Sequence, residues 1–162
     1  MKNELQNLIN ECTAEINDIG TRIASMPALD KGVRYLTNYA LIKASGTAEF
    51  VYHSIVADYF STLSNSRIDT YLDAEVRRSQ MSAKYDMMSK LLGKFDEQWR
   101  KNFQKAVQAH PNKDRLIAAS NSLVTNRHSF AHGNAPTATF NEIKQYYLDV
   151  IDLILIFDSV VR

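Results

Sequence analysis

The chain has 162 residues, 45% of them hydrophobic, and a formal net charge of +1, which suits one domain with a sizeable core over residues 1–162. A membrane span is excluded because the apolar run from residue 150 to 161 contains Asp152 and Asp158, and the N-terminus lacks a signal-peptide pattern. A single cysteine, Cys12, excludes an internal disulfide. We therefore expect a soluble, cytoplasmic protein.

Hydrophobic residues spaced three and four positions apart predict two long helices in the first part of the chain. The first covers about residues 3–25 and the second about residues 33–63, with Tyr35 and Tyr39 in the apolar stripe of the second. Gly46 lies inside this second helix, where glycine costs about 1 kcal/mol relative to alanine. A kink, a close helix crossing or simple tolerance would each account for it.

A turn and two further helices are predicted in the middle of the chain. Ser64, Asn65 and Ser66 form a turn cluster, and the spacing of Ser66 and Asp69 resembles the cap of a short third helix. An aromatic-rich apolar stripe then predicts a fourth helix from about residue 82 to residue 109. We interpret its aromatic side chains as core.

Two helices complete the predicted fold. Pro111 suits the first turn of a fifth helix that runs to about Ala131, and Gly133 supplies a stop signal beyond it. Thr139 and Glu142 have the spacing of a capping box for the last helix. No segment shows strand alternation with hairpin turns. The sequence therefore predicts an all-α fold, a helical bundle of five to six helices.

Basic residues are concentrated in the middle of the chain. Residues 75–115 contain ten lysines and arginines and five acidic residues, a net charge of +5. Such a segment is either a phosphate-attracting face or a solvated helix surface. If it binds RNA, the affinity should weaken as the salt concentration rises.

Arg127 is the unusual residue of the fifth helix. At about 100° per residue it falls about 20° from Leu116, between Leu116 and Ala131 and within the apolar stripe. A guanidinium there is costly unless a charged or hydrogen-bonding partner meets it. The partner is either a buried acid, for which Glu49 is a candidate, or an anionic ligand at a cleft or subunit interface, since the planar guanidinium suits phosphate oxygens.

Two histidines follow Arg127, and their spacing raises a third alternative. His128 and His132 at i and i+4 face the same way and would place two metal ligands together, but two are too few and no other Cys, His, Asp or Glu set completes a site. We therefore predict no metal and no other cofactor. His132 lies at the predicted end of the helix, just before Gly133.

An arginine that holds a phosphate beside a histidine that moves protons suits the cleavage of RNA. The 2′-hydroxyl of RNA attacks the adjacent phosphate once it loses its proton, and negative charge then builds up on the non-bridging oxygens. No metal is required for this route. A symmetric dimer would supply two arginines and two histidines to one site.

The residues Arg127-His128-Ser129-Phe130-Ala131-His132, followed by Gly133, resemble the motif of the HEPN superfamily. Ribonucleases of that superfamily carry Arg, a polar residue, three to five further residues and then His at the end of a late helix. The whole stretch LVTNRHSFAHG is similar to the small stand-alone HEPN proteins of the RiboL-PSP and MAE types. The long second helix with Gly46 and Glu49 is similar too.

The resemblance implies a HEPN-like up-and-down bundle that forms a homodimer with its active site at the subunit interface. It also implies metal-independent endoribonuclease activity, often in toxin-antitoxin or antiphage systems, with RNA as substrate and an antitoxin protein as partner. Loops of RNA are the expected cleavage sites, because proteins recognise exposed single-stranded bases most readily.

Residue roles follow from the motif and its neighbours. We expect Arg127 to stabilise the scissile phosphate and His132 to transfer protons, with His128, Asn126 and Glu49 as accessory or substrate-binding residues. The rival hypothesis is a non-catalytic helical module that binds a partner protein or RNA without cleaving it.

Overall fold

The computed structural model describes residues 1–27, 29–62 and 66–161. Within these ranges the chain forms seven α-helices: α1 (Asn3–Ala24), α2 (Lys31–Ser61), α3 (Ser66–Leu72), α4 (Tyr85–Phe95), α5 (Glu97–Ala109), α6 (Lys113–Ala131) and α7 (Phe140–Val160). A π-helical turn, Asp73–Arg77, continues α3. The described part of the chain contains no strand, so the all-α prediction is confirmed.

The helix count exceeds the predicted five to six, because the predicted fourth helix is two helices. Asp96 separates them: its backbone is extended, with φ −152° and ψ 117°, and its side chain accepts hydrogen bonds from the amides of Gln98 and Trp99. Aspartate is among the preferred residues at a helix N-cap. The apolar stripe continues across this break from Leu92 to Trp99, which hid it in the sequence.

Of the two helix starts with a predicted cap, the structure confirms the cap of the last helix. Ser64 and Asn65 of the predicted turn lie outside the described residues, and Ser66 is the first residue of α3. The capping box before α7 is confirmed: Thr139 Oγ1 accepts from the Glu142 amide at 3.3 Å, and Glu142 Oε2 accepts from the Thr139 amide at 2.7 Å. Such reciprocal bonds satisfy amides that a helix N-terminus otherwise leaves unpaired.

The core lies around α2, which contacts α1, α6 and α7. From Ala40 to Ala57 this helix buries mostly small and aliphatic side chains, whereas its first nine residues bury none. Helix α7 crosses the core and is tied to α1 by Tyr147, whose hydroxyl donates to the Ile9 carbonyl at 3.2 Å. Burial of each large apolar side chain stabilises the fold by about 1.5–3 kcal/mol.

Helix α6 runs from the core to the surface. Leu116 and Leu123 are fully buried, but from Arg127 onward the side chains of α6 are exposed or only half-buried. The first part of α6 is therefore fixed in the core, and its last turn, from Arg127 onward, is accessible to solvent. Within the described ranges, no helix is long and apolar enough to cross a membrane.

Candidate active site

The end of α6 is shaped by a glycine. The amide of His132 still donates to the His128 carbonyl at 3.1 Å, so the helical turn includes His132. Gly133 then adopts φ +80°, a left-handed conformation that glycine takes without strain, and the Asn134 amide donates back to the Ser129 carbonyl at 2.9 Å. The chain leaves the helix sharply, with His132 at its last turn.

Asn126 fastens the following loop to α6. Its Oδ1 accepts from the amides of Thr137 and Ala138, at 2.9 and 3.0 Å, and its Nδ2 donates to the Ser122 carbonyl at 2.9 Å. The side chain is buried. An accessory role at the substrate is predicted for Asn126; the observed bonds use its Oδ1 and one Nδ2 hydrogen, which suits it to positioning the loop.

Arg127 and Glu49 face each other across α6 and α2. Arg127 Nη2 lies 3.7 Å from Glu49 Oε2, which is an ion pair but too long for a hydrogen bond. The arginine side chain is 42% exposed and the glutamate 20%. The pairing with an acid is thus observed, yet the site is not sealed, and most of the five guanidinium N–H groups remain available to another anion.

Burial sets the ionisation of Glu49. Partial removal from water raises its pKa above the ordinary value for glutamate, and the positive charge of Arg127 opposes that shift. The raised pKa and the long contact both indicate that Arg127 compensates Glu49 incompletely. A second cation or a polar ligand near this pair would stabilise the carboxylate further.

His128 and His132 lie together on another side of α6. Their ring centroids are 4.3 Å apart with an interplanar angle of 63°, and both residues are exposed. In an ideal helix Arg127 and His132 point about 140° apart around the axis. Arg127 therefore contacts Glu49 on α2, whereas His132 starts from a different side of the α6 axis.

A metal site at the two histidines would need a third ligand. Across the part of the chain that the structure describes, no group of three or more His, Cys, Asp or Glu side chains converges in this way. The two rings contact each other edge to face, which orients them without a shared ion.

The start of α2 and the end of α6 enclose an open cleft, which we call the α2–α6 cleft. Its volume is about 770 Å³, and its lining combines aromatic, basic and amide side chains: Lys31, Arg34, Tyr35, Asn38, Tyr39, Ile42 and Phe130. The periodicity of α2 places Tyr35 and Tyr39 in its apolar stripe, yet both are exposed. The stripe is wider than one core-facing side of a helix needs, and that excess width was the signal that some of its residues are exposed.

Tyr39 is held in place by a polar network with α1. Its hydroxyl donates to Glu15 Oε1, and Lys43 Nζ lies 2.7 Å from Glu15 Oε2. The hydrogen bonds from Lys43 and then from Tyr39 lower the pKa of Glu15, and the bond to Glu15 raises the pKa of the Tyr39 hydroxyl. These contacts orient the ring of Tyr39 along the wall of the cleft.

Gly46 lies further along the same face of α2, which continues to Phe50. A Cβ built on Gly46 would meet nothing within 4 Å, so a close helix crossing, one of the three explanations offered for this glycine, does not occur among the described residues. Ile42 and Phe50, one turn to either side of it, are both exposed large apolar residues. This part of α2, Ile42 to Phe50, forms an open apolar surface beside Arg127 and Glu49.

The comparisons with known proteins identify the class of this helical bundle. Residues 4–162 match the RiboL-PSP-HEPN family, so nearly the whole chain is covered. The chain therefore belongs to the HEPN proteins of the RiboL-PSP type, a family generally associated with ribonucleases that also includes non-catalytic members. Neither the curated proteins nor the solved structures contain a match.

Proposed function

We propose that this protein is a metal-independent endoribonuclease whose active site forms where two copies bring the ends of α6 together. The observation that carries the proposal is Arg127, a guanidinium held at the end of a buried helix, contacted by Glu49 only at 3.7 Å and 42% exposed. A permanently charged planar group in that state is suited to bind a phosphate.

The proposed reaction transfers the phosphate within the RNA chain. His132 accepts the proton of a 2′-hydroxyl, the 2′-oxygen forms a bond to the adjacent phosphorus, and the bond from phosphorus to the 5′-oxygen breaks. A second histidine protonates the departing 5′-oxygen. Arg127 stabilises the charge on the non-bridging oxygens in the transition state. The products are a 2′,3′-cyclic phosphate and a 5′-hydroxyl.

The positions of the two side chains on α6 favour a site built from two copies. Because Arg127 and His132 of one chain leave α6 about 140° apart, one phosphate does not sit readily between them. In the proposed isologous dimer, which uses the exposed apolar residues from Ile42 to Phe50, the Arg127 of one copy acts together with the His132 of its partner. Gly46 at the centre of that surface permits a close approach of the two α2 helices.

The accessory residues have separate roles in this proposal. His128 orients His132 through the contact of their rings, and Glu49 keeps the guanidinium of Arg127 aimed along α2. Asn126 acts indirectly, because it holds the loop after Gly133 against α6. In this proposal the protein acts in the cytoplasm as a toxin or antiphage effector, and an antitoxin protein controls it.

The alternative is a non-catalytic helical module that binds a partner protein or RNA. The ion pair of Arg127 with Glu49 favours it, because part of the arginine charge is already used within the chain. In that case the exposed surface of α2 would bind a partner and would not form part of an active site.

The test incubates purified protein with a mixed RNA pool and excess chelator. The proposal expects cleavage by the wild type, its loss in Arg127→Ala and in His132→Ala, and products that end in a 2′,3′-cyclic phosphate. Products that all carry a 5′-phosphate would indicate attack by water and a different enzyme. RNA that is bound and never cleaved would support the non-catalytic module.

A further inference from the structure

The α2–α6 cleft is adjacent to the proposed active site. Phe130 lines it from α6, three residues after Arg127 and two before His132. An RNA strand whose phosphate contacts Arg127 would therefore pass the mouth of the cleft. At about 770 Å³ the cleft has room for a nucleotide base with its sugar.

Aromatic rings in the cleft are exposed without a packing role. Tyr35 is 68% exposed on the first turns of α2, and Tyr39, one turn later, is fixed by its bond to Glu15. Exposed tyrosines beside cations are typical of surfaces that stack unpaired bases, because every base has a flat π-face. A ring that is already held by a hydrogen bond loses less entropy when a base stacks on it.

The charge of the cleft complements an RNA backbone. Lys31 and Arg34 line it, and neither forms an ion pair with any carboxylate that the structure describes. The described lining contains no acidic residue. Asn38 adds an amide that can both donate to and accept from the edge of a base.

We propose that the α2–α6 cleft is the subsite that selects single-stranded RNA, by stacking one unpaired base next to the scissile phosphate on Tyr35 and Tyr39. Lys31 and Arg34 bind the flanking phosphates, and Asn38 contacts the edge of the base. This inference rests on the proposed ribonuclease function and adds the residues that select a single-stranded substrate. A duplex does not enter the cleft, because its bases remain stacked on each other.

The test measures binding on the Arg127→Ala background, so that RNA stays intact. Probes are a short fluorescent single strand of mixed sequence, the same strand annealed to its complement, and a strand with abasic positions. Tyr35→Leu removes the stacking surface and keeps an apolar side chain. Tyr71→Leu is the matched control, since Tyr71 on α3 is 63% exposed and lies outside the cleft lining.

We expect Tyr35→Leu to weaken binding of the single strand roughly 5- to 100-fold, the range for loss of one stacked base, and Tyr71→Leu to leave it unchanged. The abasic strand should bind weakly to the Arg127→Ala protein, and adding Tyr35→Leu should not weaken its binding further. In the cleaving protein Tyr35→Leu should raise KM and leave kcat near its wild-type value.

Several results would overturn the subsite. Equal affinities of Tyr35→Leu and Tyr71→Leu would do so, as would tight binding of the duplex. If Tyr35→Leu changes the sedimentation of the protein at the assay concentration, the cleft is covered by a second copy and not by RNA. When wild-type cleavage depends on Arg127 in parallel assays, these failures concern the subsite alone. Absence of both RNA binding and cleavage would remove the proposed function as well.

Discussion

The basic middle segment and the α2–α6 cleft differ in how their cations are used. Each of the four arginines in residues 75–115 pairs with a carboxylate: Arg77 with Asp58, Arg78 with Asp73, Arg100 with Glu97 and Arg115 with Asp149. Lys31 and Arg34 in the cleft have no such partner among the described carboxylates. The region with the larger net charge thus has its arginines engaged within the protein.

This difference bears on the two hypotheses for the basic segment. Ion pairs such as that of Arg77 and Asp58, at 2.9 Å between half-buried groups, connect the π-helical turn to α2. A phosphate at these arginines would have to compete with the carboxylates, whereas Lys31 and Arg34 in the cleft, like the lysines of the basic segment, have no carboxylate partner among the described residues. The count of charges in a sequence therefore does not locate a phosphate surface; the pairing of each charge does.

The largest expected effect comes from replacing one arginine in each region. Arg127 and Arg100 are matched, since each side chain is 42% exposed and each contacts one glutamate. Arg127→Ala should lower kcat for RNA cleavage by about 100-fold or more, because it removes a charge at the transition state. Arg100→Ala should leave kcat unchanged. If both variants lost kcat equally, the two regions would not differ in this way, and the basic segment would contribute to phosphate binding.

The next effect concerns the attachment of the basic segment to α2 and its dependence on pH. Burial lowers the pKa of His53 on α2 to about 4, although hydrogen bonds with the backbone of Met81 and Arg77 oppose the shift. Its Nε2 has no partner among the described atoms. The unfolded chain takes up this proton near pH 6.5 and the folded chain does not, so folding stability should fall as the pH drops from about 6.5 to 4.

The loss should be on the order of 3 kcal/mol in the free energy of unfolding over that range. Denaturant unfolding at pH 7 and at pH 4.5, for the wild type and His53→Gln, measures it. The variant should show a flatter pH dependence than the wild type, whatever its stability at pH 7. An identical pH dependence in both proteins would show that His53 titrates normally.

The smallest effect is on the salt dependence of RNA binding. Each phosphate contact to a single strand contributes about 0.7 to the slope of log K against log salt concentration. Replacing Lys31 and Arg34 together by glutamine should therefore reduce the slope by about 1.4. The control replaces Lys101 and Lys105 of α5 by glutamine and should leave it unchanged. A reduced slope in the control alone would support the basic segment as the RNA-binding surface.

Much of the fold is predictable from local pattern. The ends of α1 and α7 follow from apolar periodicity and, for α7, from the capping box of Thr139 and Glu142. Asp96 shows where such prediction stops, because its capping bonds compete with a stripe that continues in both directions. Whether the helix breaks at Asp96 or continues depends on how α4 and α5 pack against the rest of the chain. Periodicity in the sequence does not contain that information.

The candidate site was only partly predictable for a related reason. The position of Arg127 in an apolar stripe indicates that it needs a partner, and Glu49 is that partner in the fold. The exposure of Tyr35 and the pairing of Arg115 with Asp149 depend on which helices cover α2 and α7. These contacts join residues far apart in sequence, so a single sequence does not reveal them.

Gly46→Arg offers the most direct test of a site shared between two copies. Because a Cβ at Gly46 meets no described atom within 4 Å, the larger side chain fits the single chain and removes a helix-interior glycine. It would, however, block the close approach of two α2 helices without altering Arg127 or His132. Sedimentation and cleavage rate are measured on the same sample, with Gly46→Ala as the small-residue control.

The account predicts that Gly46→Arg keeps the melting temperature of the wild type, sediments as a monomer and loses RNA cleavage, whereas Gly46→Ala remains an active dimer. A Gly46→Arg protein that cleaves RNA at the wild-type rate per chain, whether as a monomer or as a dimer, would contradict it.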